Sequence, residues 1–179
     1  MKNLCIFCGA QRGNNPDFES TLLALAQILI AREITVVYGG GSVGLMGILA
    51  DYIVQNNGRI IGVIPESLAD RELLHHNLTE CHIVGSMHLR KQKMHELSDA
   101  FVLAPGGFGS IEEFFEALTW TQLGLHEKPC GILDINGYYK HLLLFLEDAL
   151  ETGFLSHQDH RRVLVSSNPE ALMSMMEAH

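Results

Sequence analysis

Apolar residues in this chain gather in short runs, set between longer segments with helical periodicity. Leu4-Cys-Ile-Phe-Cys8, Thr35-Val-Val-Tyr38, Arg59-Ile-Ile-Gly-Val-Ile64, His82-Ile-Val84, Phe101-Val-Leu103, Pro129-Cys-Gly-Ile-Leu-Asp134 and Leu164-Val165 read as strands. Most are apolar throughout rather than alternating, as expected of strands covered on both faces. Pro16 to Arg32 places Phe18, Leu22, Leu25, Ile28 and Leu29 at steps of three and four, which predicts an amphipathic helix. A second helix is expected to open within Gly39-Gly-Gly-Ser-Val-Gly-Leu-Met-Gly47 and to run to about Asn57. Ser86 to Ser98 reads as a helix with Met87, Arg90 (beside Lys91), Met94 and Leu97 along one stripe. Ser110 to Gln122, Tyr138 to Thr152 and a segment opened by Ser167-Asn-Pro169 complete the helices. Strands alternating with helices in this way predict an α/β fold: a doubly wound, Rossmann-like parallel sheet with helices on both faces. No repeat or linker interrupts the pattern, so residues 1–179 are expected to form a single domain.

Composition narrows the partners. With 47% hydrophobic and 18% charged residues, the 179-residue chain resembles soluble globular proteins. A formal net charge of −9 argues against general affinity for nucleic acid or anionic membranes, which need a basic surface. No apolar run approaches the roughly 18 residues required to cross a bilayer. Four cysteines suggest no disulfide scaffold, and a cytoplasmic location is expected. Cys5 and Cys8 form a CxxC inside a strand-like run rather than at a helix start, so core packing is the simpler reading. Adjacent His75 and His76 lack metal-ligand spacing; neither a metal nor a cofactor is expected.

Candidate chemistry lies at two glycine-rich strand-to-helix junctions. After Phe101–Leu103, Pro105, Gly106, Gly107 and Gly109 force a tight turn before the helix, which Ser110 is expected to cap. Such a turn aims free N–H groups and the positive helix end at one point, making an anion site without a basic side chain. Gly39 to Gly47 is glycine-richer than a turn requires and is read as a second place of ligand approach, through Gly40 and Gly41. Neither loop matches GxGxxG or the GK[ST] ending of a P-loop, so a dinucleotide or NTPase site is weakly supported. Ser110-Ile-Glu-Glu113 has capping-box spacing, which would turn Glu113 back onto the helix end. Alternatively, the carboxylate faces a cation forming beside the phosphate, such as an oxocarbenium ion. Arg90 either reaches solvent past the core or answers a buried anion.

Ser86-Met-His-Leu-Arg-Lys91 and Pro105-Gly-Gly-Phe-Gly-Ser-Ile-Glu-Glu113 resemble the paired MHxRK and PGGxGTxxE motifs of the LOG family. These are the cytokinin riboside 5′-monophosphate phosphoribohydrolases, formerly described as lysine decarboxylases. The resemblance extends through Gly39–Gly47, Arg71-Glu72 and Thr119-Trp-Thr-Gln-Leu-Gly124. Ser110 replaces the usual threonine and keeps its hydroxyl, while Ala10-Gln11 stands where the family usually has serines. The resemblance implies hydrolysis of the N-glycosidic bond of an adenosine-type 5′-monophosphate to a free base and ribose 5-phosphate. It implies catalytic roles for Arg90 and Glu113. Implied substrate contacts are Glu72, Arg90, Lys91, Gly106, Gly107, Phe108, Gly109, Ser110, Ile111, Glu112, Glu113 and Thr119, beside Gly40 and Gly41 of the other loop. It further implies a homodimer, with Phe114, Phe115 and Leu118 as available apolar contacts. A non-catalytic nucleotide carrier on the same fold is the alternative. A pyridoxal-type decarboxylase would need a Schiff-base lysine, and nothing marks Lys91 or Lys93 as one.

Overall fold

The computed structural model describes residues 1–69 and 74–179. Its strands are β1 (Asn3–Phe7), β2 (Thr35–Tyr38), β3 (Ile60–Pro65), β4 (Glu80–Val84), β5 (Ala100–Leu103), β6 (Cys130–Leu133) and β7 (Val163–Ser166). The helices are α1 (Pro16–Ala31), α2 (Gly44–Gln55), the short α3 (Glu66–Leu68), α4 (Met87–Leu97), α5 (Phe108–Gln122), α6 (Lys140–Glu151), α7 (His157–Arg161) and α8 (Pro169–Glu177). All seven strands pair in parallel, in the order β4-β3-β2-β1-β5-β6-β7. The expected doubly wound sheet is therefore present. The strand order reverses direction between β1 and β5, and in such sheets ligands bind beyond the carboxyl ends at that switch point.

Alternation along each strand builds two cores. Leu4, Ile6, Val36, Tyr38, Val102 and Ala104 face the layer containing α1, α2 and α8. Cys5, Phe7, Val37, Val63, Phe101 and Leu103 face the layer containing Met94 of α4 and Phe114 and Ala117 of α5. The CxxC follows the same rule: Cys5 belongs to one core and Cys8 to the other. Both thiols are free and buried, and burial pushes Cys8 up to about 12, so packing accounts for the pair. Phe114 does not offer the apolar contact expected of it, because its ring is wholly inside this second core. Phe115 and Leu118 are half-buried against the same core. No helix among the described residues is long and apolar enough to cross a membrane.

The second core also encloses a histidine. His95 of α4 lies between Phe101 and Trp120, with ring centroids 4.7 and 4.3 Å away. Burial first, and then the cations of His126, Lys128 and Lys91, push it down to about 4 from the ordinary 6.5. Its folded value is depressed, so its contribution to stability is complete above about 6.5 and is lost as pH falls through about 4. A His95→Gln variant should therefore lose less stability than the wild type over that window. Urea midpoints measured across it test this, and parallel curves would refute it.

Candidate active site

The β1 and β5 loops meet at the switch point. Ala104 N–H donates to Phe7 O at 2.9 Å, and Gly9 N–H donates to Pro105 O at 3.0 Å, so strand pairing continues into the loops. Gly9 O then accepts from Leu45 N–H at 3.0 Å and Met46 N–H at 3.3 Å, which ties the start of α2 to the same knot. A side chain at Gly9 would meet Gln11 O at 2.8 Å, so the close approach requires glycine. Around the knot opens a cavity of about 660 Å³, within the usual range for small-molecule sites.

Helix α5 begins two residues earlier than its sequence suggests. Gly107 is its N-cap, without a side-chain cap bond, and Ile111 N–H donates to Gly107 O at 3.1 Å. Ser110 is therefore inside the first turn rather than capping it. It packs on the loop, since a Cβ on Gly106 would lie 2.2 Å from Ser110 Oγ. The backbone N–H groups of residues 108–110 precede any intrahelical acceptor, and they lie where the cavity is lined by Gly106, Gly107, Phe108, Gly109 and Ser110. Free N–H groups at a helix start are suited to an anion, and Tyr138 steadies the turn by donating its hydroxyl to Gly106 O at 2.8 Å.

Glu113 is not turned back as a capping-box residue. It points from the second turn of α5 to Arg90, with Arg90 Nη1 to Glu113 Oε1 at 3.4 Å. The two residues are only 9% and 8% exposed, yet both line the cavity. Ser86 caps α4 by accepting from Leu89 N–H at 3.2 Å, which sets the helix carrying Arg90. Arg90 Nε donates to Val63 O at 3.1 Å, at the end of β3. Arg90 therefore answers a buried anion and does not reach past the core to solvent. Gly39 makes room for it: a Cβ there would lie 2.0 Å from Arg90 Nη2.

Burial dominates the electrostatics of Glu113 and pushes its carboxyl above the usual range. Arg90 pulls it back, Glu112 raises it, Lys91 lowers it and Glu116 raises it. Lys91 Nζ donates to Glu112 Oε1 at 2.6 Å and to Glu116 Oε2 at 2.8 Å, neutralising the two acids that flank Glu113. Burial lowers Lys91, but these partners outweigh it and hold the ammonium raised.

The structure thus gathers Arg90, Gly106, Gly107, Phe108, Gly109, Ser110, Glu113 and Gly41 around one cavity. Other expected contacts stand apart from it. Gly40, at φ +75°, packs against Ile64 and serves the close approach of β2 and β3. Lys91 and Glu112 pair with each other, Ile111 packs on the second core, and the exposed Thr119 donates its hydroxyl to Phe115 O at 2.7 Å. Glu72, with Arg71, lies outside the described residues. Sequence reasoning missed Gly9 and Tyr138, and it read Gly39 only as part of a glycine-rich loop, because their particular roles depend on neighbours distant in the chain. His75 Nε2 lies 3.1 Å from Asp51 Oδ1, which gives that histidine a structural partner.

Known proteins extend this picture. Residues 46–176 match the family model described as "Possible lysine decarboxylase". The chain is 41% identical over 179 residues to the rice protein named "Probable cytokinin riboside 5'-monophosphate phosphoribohydrolase LOGL3", covering all of this chain and 85% of the relative. It is 40% identical over 179 residues to the Arabidopsis thaliana enzyme named cytokinin riboside 5′-monophosphate phosphoribohydrolase LOG2, covering all of this chain and 84% of that one. The chain belongs to the LOG family. Among solved structures, the molybdenum cofactor binding protein of Rippkaea orientalis superposes with a TM-score of 0.73 at 18% identity, covering 99% of this chain and 97% of that one. At that identity the likeness concerns the fold alone. In this chain the knot at Gly9, the α5 helix end and the Arg90–Glu113 pair form one contiguous cavity wall.

Proposed function

We propose that this protein is a phosphoribohydrolase that cleaves the N-glycosidic bond of adenosine-type 5′-monophosphates, releasing the base and ribose 5-phosphate. The observation that carries this reading is the buried Arg90–Glu113 pair, opening on the same cavity as the free N–H groups of α5. The 5′-phosphate binds at the Gly106–Ser110 helix end, where dipole and N–H groups favour an anion. That anchor places C1′ toward Glu113. As the C1′–N bond breaks, positive charge develops on the ribose, and the Glu113 carboxylate stabilises it and orients the attacking water. Water oxygen bonds to C1′; one of its protons leaves and the departing base gains one. Arg90 keeps the buried carboxylate ionised and in position. The relatives are named as hydrolases of this class, and the non-catalytic carrier is correspondingly less supported.

We place the remaining expected residues, Lys91, Glu112 and Thr119, on the outer face of α4 and α5, where a second copy in a homodimer would lie beside them. Exposed Met87, one turn before Lys91 on α4, supports an apolar contact there. Light scattering at twice the mass of one chain is the expected result. A cytoplasmic location is part of the same proposal. The test of function is direct: incubation with AMP and N6-isopentenyl-AMP should give free base and ribose 5-phosphate in equal amounts. Binding of both without any product would overturn it.

A further inference from the structure

Two cationic side chains line the cavity among the described residues, Arg90 and Arg12. They are in different situations. Arg90 is buried, and its guanidinium is committed to Val63 O and Glu113. Arg12 is in the β1 loop, with its side chain 65% exposed, and it pairs with Glu19 of α1 through Nη2 to Oε2 at 2.9 Å. The Gly9–Pro105 hydrogen bond fixes the start of that loop against the turn that opens α5. Gly44 fixes its next residues, since a Cβ there would lie 2.3 Å from Ala10 C. The loop is then led into α1 by Asn15, whose Oδ1 accepts from Asp17 N–H at 3.0 Å. Arg12 is thus held on the rim of the anion site by anchors at both ends of its loop.

We propose that Arg12 is a phosphate-binding residue of this site, and that its pair with Glu19 is a resting position from which it closes on the phosphoryl oxygens held at the α5 helix end. The inference rests on the assigned phosphate site. A guanidinium carries five N–H donors in a planar fork matched to phosphate, so a contact through Nη2 leaves donors for a second anion. A carboxylate in an exposed pair is a weak competitor, because such pairs contribute little in water. Need for a local cation is plain in a chain whose net charge is −9, which repels an anionic ligand at long range. Helix dipoles alone fall off within a turn, whereas a rim arginine also acts on the approaching anion.

Calorimetric titration with ribose 5-phosphate and with ribose tests the proposal on the wild type, Arg12→Ala, Arg12→Lys and Glu19→Gln. Arg12→Ala should weaken ribose 5-phosphate roughly ten-fold, as expected for one lost charge-assisted contact, and leave ribose unaffected. It should also flatten the dependence of affinity on ionic strength. Arg12→Lys should retain part of the affinity, as a point charge without the fork. Glu19→Gln should tighten binding. With AMP, Arg12→Ala should raise KM by a similar factor while kcat stays within about two-fold. Ribose 5-phosphate failing to bind the wild type, or binding Arg12→Ala as tightly as the wild type, overturns the proposal. Failure of the hydrolase reading looks different: Arg12-dependent phosphate binding would persist with no base released.

Discussion

Replacing Glu113 with glutamine should lower kcat for base release by about 10²–10⁴-fold, the usual range for a placed acid–base carboxylate. KM should change little, because the phosphate site proposed here is formed by backbone N–H groups of α5 that the substitution does not touch. At neutral pH the same variant sheds the cost of burying a carboxylate but leaves the buried Arg90 without its counter-ion, so its melting temperature should stay close to that of the wild type. Burial raises the carboxyl of Glu113 by more than Arg90 lowers it, so the ionised side chain costs the folded state stability. For a group raised in this way, the favourable contribution is present below its unfolded value of 4.5 and is lost as pH rises through the folded value. Glutamine removes that cost, and its advantage should shrink as the solution is acidified. The acid limb of the wild-type kcat/KM profile should correspondingly lie above the usual carboxylate range. Thermal melts and steady-state rates on the two proteins check both halves. A variant with wild-type kcat would contradict the role assigned to Glu113.

A methyl group at position 39 should be almost as damaging to activity while leaving the fold intact. The Cβ of Gly39→Ala would occupy a point 2.0 Å from Arg90 Nη2 and 3.2 Å from its Cζ. The obstructed atoms are the far end of a flexible side chain, so the guanidinium moves rather than the sheet. Displacement on the order of 1 Å at a reacting centre costs roughly 10²-fold in rate. Arg90 is also what pulls the Glu113 carboxyl down, so its withdrawal should move the acid limb of the pH profile to higher pH. A Gly39→Ala enzyme with wild-type kcat/KM and an unmoved acid limb would show that Arg90 does not act through Glu113.

The layers of the fold were legible because their cause is local. Leu4–Cys8 and Phe101–Leu103 are apolar without interruption, which only strands covered on both faces require, and Ser86 announced the start of α4. The start of α5 was misjudged because two local signals competed. Ser110 and Glu113 have capping-box spacing, yet Gly107 takes the cap, and burial of Glu113 against Arg90 from another helix overrides the local bond. Arg90 and Glu113, 23 residues apart, were readable as a pair only through resemblance to a family, since each alone had an ordinary structural reading. Gly39 stood in a loop read as a place of ligand approach, but the side chain it makes room for comes from α4, and Tyr138 carried no signal because it braces a loop from β5. Phe114, expected to be available on the surface, is in the core because its helix turns that face to β5.

In the proposed mechanism the opening turn of α5 holds the 5′-phosphate while Glu113 faces the ribose. Base release from AMP and from adenosine, measured side by side with the same enzyme, tests it most directly. The phosphate lies remote from the bond that breaks, so its binding energy is available to lower the barrier at C1′. The value of kcat/KM for adenosine should be lower by roughly 10³-fold or more, equivalent to about 4 kcal/mol of lost transition-state stabilisation. Equal values for the two substrates would contradict it.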